Sequence, residues 1–462
     1  MQLPLYNERF VAERLLDSVA EMEWPQDKFE IQVLDDSTDD TREIVDERAA
    51  FLSGRGVMIN VIRRPHRQGY KAGALDNGMK QCRGEFIAIF DADFVPGRDF
   101  LLKTIPGFDE DNIGMVQARW GFLNTEHSWL TSIQSLLLGP HFRFEHWVRY
   151  KRNLFFNFNG TAGVWRKRAI ESAGGWLADT ITEDLDLSYR AQLAGWRFRY
   201  LDTVEVPSEL PVTMTSFRCQ QERWAKGSIQ TAKKILPLVL RANIPISVKL
   251  EAVAHLLANV CWLLGLMATL TLYPVILSRP HIGPYQIIRL DVPIFIFSSL
   301  AIFFYFVIFR LTQKKRVPLH ALFLLPIFTI GLAPSLAIAV AKGFFRQGGV
   351  FERTAKFGIR GRGRMPVLAW LYSQKSFKII LINTILFIYT LQPILLSYQR
   401  GTWPAIPFLL LFPMGFFLVM YRDFIELLPT RPALVPFPER GNDEQSKTRA
   451  PAGNKTGMSG EQ

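Results

Sequence analysis

The chain has 462 residues, 48% of them hydrophobic, and its 54 Lys and Arg against 42 Asp and Glu give a net charge of +12. The basic excess lies largely between and after long apolar runs, as lysines and arginines do beside membrane segments, and this argues against nucleic acid as the partner. The three cysteines, Cys82, Cys219 and Cys261, have no metal-ligand spacing and no evident pairing, which fits a reduced, cytosolic head.

A mean hydropathy of +0.09 averages over unlike parts. Residues 1–240 are mixed and charged, as in one globular head. Residues 241–421 are dominated by apolar runs, and 422–462 form a polar, Pro-rich tail expected to be disordered.

Within the head, β-like and helical segments alternate. "QLPLYNE" opens it and offers Tyr6 to stack on a base and Glu8 to hydrogen-bond it. "EIQVLDDSTDD" reads as a strand ending in Asp35 and Asp36, and a carboxylate there can accept hydrogen bonds from a nucleobase or ribose. Asp39 or Asp40 reads as the cap of the next helix, "DTREIVDERAAFL". "RQGYKAGAL" supplies Lys71 between Gly69 and Gly73, a cation able to meet a diphosphate; the nearby Arg63, Arg64 and Arg67 read as solvated. "EFIAIFDADF" is a second strand ending in carboxylates, and its period of two sends Asp91 and Asp93 to the same side. Paired carboxylates suit a hard ion such as Mg²⁺ or Mn²⁺ that shares its ligands with phosphates, although an isolated DxD is more often a solvated loop. Together these segments predict an α/β, mostly parallel, doubly wound sheet with ligands at its carboxyl edge. No GxGxxG is present, which disfavours a dinucleotide domain.

"TITEDLDLSYRA" sets Thr182, Glu183 and Asp184 at a helix start, with Thr182 as its N-cap. Alone the triplet means a capped helix; beside the other carboxylates it supplies a candidate general base. In "RCQQERWAKGSIQ", Gln220, Arg223 and Trp224 fall on one helix face. They serve either as an interfacial anchor or as a sugar-binding face at the mouth of a membrane passage.

Four runs, about 253–278, 292–311, 378–398 and 403–421, are long enough to cross a bilayer. A fifth, 319–342, contains Pro326 and Pro334, which break the backbone ladder. Both its flanks are basic: Arg310, Lys314, Lys315 and Arg316 before, Lys342, Arg346 and Arg353 after. It is therefore expected to lie along the interface or re-enter without crossing, with head, basic linkers, loop 343–376 and tail all cytosolic.

The ordered set Asp36, Asp91–Asp93, Thr182–Asp184 and Gln220–Trp224 resembles the D, DxD, TED and QxxRW series of processive family-2 glycosyltransferases, the group of cellulose, chitin and hyaluronan synthases. The resemblance is nearest to the cellulose synthase-like A and C mannan/glucan synthase branch and its bacterial relatives. It is carried by "QLPLYNE", "VLDDSTDDT", "GYKAGAL", "IFDADF", "VQARWGF", "FNGTAGVWR", "AGGW" and "TEDLDLSYRA", over most of residues 1–230. "VFERTAKFG" is similar to the FxVTxK gating loop, with Phe351, Thr354 and Lys356 in place and Arg353 where the family often has Val.

This resemblance implies a GT-A (Rossmann-like) head followed by an α-helical transmembrane region. It further implies Asp93 with Asp91 on Mg²⁺ or Mn²⁺, and Asp36, Asp91 and Lys71 on the nucleotide sugar. Asp184 becomes the base beside Thr182 and Glu183, and Gln220, Arg223 and Trp224 the acceptor site. The activity implied is transfer of a hexose, from UDP-glucose or GDP-mannose, to a growing β-linked polysaccharide coupled to export across a plasma, inner or Golgi-type membrane. The alternative is single addition to a membrane lipid acceptor, such as diacylglycerol or ceramide. A transporter would need neither DxD nor TED, and a paired-carboxylate glycosidase would leave Lys71 and the apolar runs unexplained. The resembling proteins carry residues before "QLPLYNE", so Met1 is expected to begin inside the first strand at a truncated start. The sequons at Asn159 and Asn454 are expected to be silent in the cytosol, with Asn159 lining the sugar pocket.

Overall fold

The computed structural model describes residues 1–278, 283–313, 318–350, 353–361 and 377–427. Of the tail expected over 422–462, residues 422–427 are described and are helical, which corrects that boundary; the rest of the tail and Phe351 lie outside the described residues. In chain order the head comprises β1 (Gln2–Leu5), α1 (Ala12–Ala20), β2 (Ile31–Asp35), α2 (Thr41–Gly54), β3 (Ile59–Ile62), α3 (Tyr70–Met79), β4 (Phe86–Ile89) and β5 (Ile113–Phe122). Then follow α4 (Trp129–Pro140), β6 (Gly163–Arg166), α5 (Glu183–Leu193), β7 (Arg197–Ser208) and the long α6 (Met214–Arg241).

The strands form one sheet in the order β3-β2-β1-β4-β6-β5-β7. Only β6 among them runs antiparallel to its neighbours β4 and β5. Each central strand is apolar on both sides because helices cover both faces. Along β4, Ala88 packs with Leu15, Leu16 and Val45 on one face, whereas Ile87 and Ile89 pack with Leu75, Trp165 and Leu187 on the other. Burying each such large side chain is worth about 1.5–3 kcal/mol. The alternation therefore pins the register, and with it the side to which residues beyond the strand end project. The chain leaves β1 for β2 on one flank and returns as β4 on the other, which opens a crevice at their carboxyl ends.

Beyond α6 come α7 (Ile246–Leu257), α8 (Val260–Leu277), α9 (Val292–Thr312), α10 (Leu319–Phe345), α11 (Phe377–Gln399) and α12 (Ile406–Leu427). Five helical stretches among the described residues are long and apolar enough to cross a membrane, including α10. The expectation that prolines interrupt 319–342 is overturned: α10 runs unbroken through Pro326 and Pro334. Each proline deletes one donor of the ladder, and packing holds the rest. In α10 61% of the apolar window is buried, against 6–28% in the other four stretches. Its Leu322, Leu325 and Phe328 pack on Leu130 and Ile133 of α4 and Phe217 of α6, and its Ala339 and Val340 on Ala225 and Ile229 of α6.

Glycines permit this closeness. A β-carbon on Gly331 of α10 would lie 2.2 Å from the Gly415 carbonyl of α12, and one on Gly343 2.8 Å from the Lys226 carbonyl of α6. The charged end of α12 reaches back as well. Glu426 accepts from the Met214 and Thr215 amides at 2.5 and 3.1 Å, and Arg218 donates to both oxygens of buried Asp423 at 2.6 and 2.5 Å. The N-terminus of α6 is thus capped by another helix.

Candidate active site

A single cleft opens at the carboxyl edge of the sheet. Tyr6, Glu8, Asp36, Lys71, Asp91 and Asp93 line it, as do the Thr182–Asp184 triplet, the Gln220, Arg223 and Trp224 face, and Thr354 and Lys356 of the loop. Every described residue in the anticipated set therefore meets in one place.

The centre of the cleft is built from three turns. Left-handed backbone at Gly69 and Tyr70 (φ 70° and 50°) starts α3 so that Lys71 points inward. Its Nζ donates to Asp91 Oδ1 at 2.5 Å and to the Gly160 carbonyl at 2.8 Å. Gly160 is itself left-handed (φ 79°), and a β-carbon there would sit 3.0 Å from Asp184 Oδ2 and 3.4 Å from Lys71 Nζ. The triplet is fastened to α6: Thr182 Oγ1 lies 3.1 Å from Thr231 Oγ1, and Ile181 N donates to Gln230 Oε1 at 3.2 Å. Thr182 occupies the N-cap position, but its hydroxyl faces Thr231 and does not cap. Gly227 leaves the space, since a β-carbon on it would come within 2.5 Å of Thr182 Cγ2.

Electrostatics at the centre are tense. Burial raises the pKa values of both Glu183 and Asp184, while Lys71 and Arg223 pull them down. Burial lowers the pKa of Lys71, but Asp91, Glu183 and Asp184 outweigh it and the net shift is upward. Gln220 Oε1 on the α6 face is buried with no hydrogen-bond partner, an acceptor left for something that enters.

Of loop residues 353–361, Arg353, Thr354 and Lys356 line the cleft, while Ala355, Phe357 and Ile359 pack with Val212. Lys356 Nζ donates to Asp93 Oδ2 at 2.7 Å and to the Glu209 carbonyl at 2.5 Å. The Glu209 carboxylate takes the amides of Phe357 and Ile359 at 2.9 and 3.0 Å. Arg353, at the position where Val is usual, grips both oxygens of Glu8 at 3.1 and 3.2 Å. Burial pushes Glu8 up to about 7, Arg353 opposing and the Asp93 charge adding to it.

The arginines read as solvated are not. Arg64 pairs with Asp36 at 2.5 Å, Arg63 with Asp35 at 2.8 Å, and the Arg67 guanidinium sits 3.5 Å over the Tyr6 ring. Partners 28 residues apart meet only because β2 and β3 are paired. Asn159 lines the cleft as expected, whereas Glu209 and the Arg353 side chain, also in its lining, had no assigned part in the motif reading.

A divalent ion fits this donor set. Asp93 already holds a cation, the Lys356 ammonium, and Asp91 presents a second carboxylate in the same cleft. Among the described residues no group of three or more His, Cys, Asp or Glu is placed to hold a metal ion, so phosphate oxygens would have to complete its shell.

Residues 3–171 match the family described as glycosyl transferase family 2. This part of the chain is a family-2 glycosyltransferase domain. The chain is 45% identical over 248 residues to glucomannan 4-beta-mannosyltransferase 1 of Oryza sativa subsp. japonica, covering 52% of this chain and 47% of that protein. It is 44% identical over 246 residues to glucomannan 4-beta-mannosyltransferase 2 of Arabidopsis thaliana, covering 52% and 46%. It thus spans about half the length of these curated relatives. Among solved structures, the mannosyltransferase PcManGT from Pyrobaculum calidifontis, in complex with GDP-Man and Mn²⁺, superposes with a TM-score of 0.51 at 19% identity, covering 74% of this chain and 86% of that one. The GT-A fold is shared.

Proposed function

We propose that the protein is a membrane-bound inverting glycosyltransferase that adds a hexose from a nucleotide-diphospho-sugar to a β-linked glycan. The observation that carries this reading is the convergence of Asp91, Asp93, Lys71, Asp184 and the α6 face on one cleft. The names of the relatives favour a mannosyl donor, so GDP-mannose is preferred over UDP-glucose.

An ion held by Asp93 and Asp91 would neutralise charge growing on the leaving diphosphate. Lys71 adds a fixed positive charge beside Asp91. An acceptor hydroxyl presented by Gln220, Arg223 and Trp224 attacks the anomeric carbon from the face opposite the leaving group. Its proton passes to Asp184, the new C–O bond forms as the bond to the diphosphate breaks, and the configuration inverts. Gln220 and Arg223 can hydrogen-bond sugar hydroxyls, and Trp224 can stack on a pyranose face.

The test is to incubate membranes containing the purified protein with labelled GDP-mannose or UDP-glucose plus Mg²⁺ or Mn²⁺, then size and digest the product. A ladder of β-linked oligosaccharides is expected from one donor. One glycolipid would replace the polymer reading by single addition, and no transfer from any donor would remove the function.

A further inference from the structure

One buried group has no part in the mechanism above. His146 is fully buried, at the start of a short helix, His146–Lys151, that follows a single π-helical turn, His141–Glu145. Such turns recur at functional sites. The imidazole is nearly parallel to the Phe142 and Tyr200 rings, at 16° and 21° with centroids 5.9 and 5.4 Å away, and meets His141 and Phe156 edge-on at 4.5 and 5.6 Å.

What escapes this aromatic cage is the Nε2 edge, which lies 3.1 Å from Nδ2 and 3.2 Å from Oδ1 of Asn159. Asn157 Nδ2 donates to Asn159 Oδ1 at 3.0 Å, so Oδ1 is the accepting end of that amide. Nδ2 then donates to Nε2, and the ring proton sits on Nδ1. Burial keeps the ring neutral, its pKa well below the ordinary value. Asn159 N is also tied, to Gln117 Oε1 at 3.1 Å. Asn159 lines the cleft; its neighbour Gly160 accepts from Lys71 Nζ, and a β-carbon on Gly160 would meet the carboxylate of Asp184.

We propose that His146 is a positioning residue for sugar transfer: it fixes the Asn159 amide so that the second N–H of that amide meets a hydroxyl of the sugar held beside Asp184. The proposal rests on the glycosyltransfer reading above. Packing alone does not explain the residue. A phenylalanine would fill the same cage without burying Nδ1, which has no hydrogen-bond partner, and such an orphan costs about 1–3 kcal/mol. Set against that cost is the hydrogen bond that Nε2 accepts from Asn159.

The experiment uses the full chain in membranes and compares His146→Phe, His146→Gln, Asn159→Ala and the double variant His146→Phe/Asn159→Ala. His146→Phe is expected to lower kcat about tenfold, roughly the worth of one hydrogen bond, with KM for the sugar nucleotide unchanged. His146→Gln, which restores a polar atom near Nε2, recovers most of the loss. In the Asn159→Ala background His146→Phe costs nothing further, because the two act as one unit. Losses that multiply in the double variant, or wild-type kcat in His146→Phe, overturn the proposal alone. Should His146→Phe fail to fold, His146→Gln decides: kcat lowered well below that of Asn159→Ala overturns the proposal, and near-wild-type kcat supports it. Wild-type protein that transfers no sugar sinks the glycosyltransfer reading itself.

Discussion

A carboxylate that takes a proton from a sugar hydroxyl must be ionised before the acceptor arrives, and burial at Asp184 works against that. With the pKa values of Glu183 and Asp184 raised, the base is lost as pH falls through a value above the ordinary carboxylate range of about 4. The kcat/KM profile should therefore show an acid limb displaced upward from that range, and a limb at ordinary carboxylate pH would contradict the assignment. Asp184→Asn keeps the shape and removes the base. Turnover should drop by about 10²–10⁴-fold while donor binding, measured by titration calorimetry, persists. Glu8 carries a stability consequence. Its folded pKa of about 7 exceeds the ordinary 4.5, so the stability it contributes is full below 4.5 and lost as pH rises through 7. That loss is about 3 kcal/mol at most. Glu8→Gln should then melt later than wild type at pH 8 and level with it near pH 5, as followed by thermal unfolding in detergent. The motif carboxylates could be read from one strand end at a time, because period two and a buried strand determine where they point. Arg64 on Asp36 and Arg353 on Glu8 could not, since each pair is joined by strand pairing or loop docking that no local pattern encodes.

Helix α6 turns a short motif into a surface. Residues at i, i+3 and i+4 were legible as one face, and the structure turns that face to the cleft while Gly227, on the same helix, receives Thr182. Trp224→Ala should leave insertion and yield intact and cut activity several-fold through lost stacking, worth about 1 kcal/mol or more. Normal activity with poor insertion would instead mark an anchor. The loop illustrates what remained hidden. "VFERTAKFG" suggested a gate by likeness, but its receptor, Glu209 at the end of β7, is one glutamate with no neighbouring signature. Its partners in the folded chain, the Phe357 and Ile359 amides and the Lys356 ammonium, reveal its role.

Across the whole molecule, the order of strands and helices followed from alternating patterns, and the apolar runs followed from length and composition. The prolines of α10 misled because a helix loses just one donor at each, and surrounding helices make good the difference. Both ends of α10 pack on helices of the head, and the loop after it docks in the head's cleft. A reporter fused after residue 346 should accordingly read as cytosolic in a protease-protection assay, and an external signal would reverse the orientation proposed for the head. The snug glycine contacts on two sides of α10 have a practical outcome. At Gly343 α10 rests directly on the backbone of α6, so stripping annular lipid during purification should bare the outer helices first and leave the join of head and apolar bundle in register.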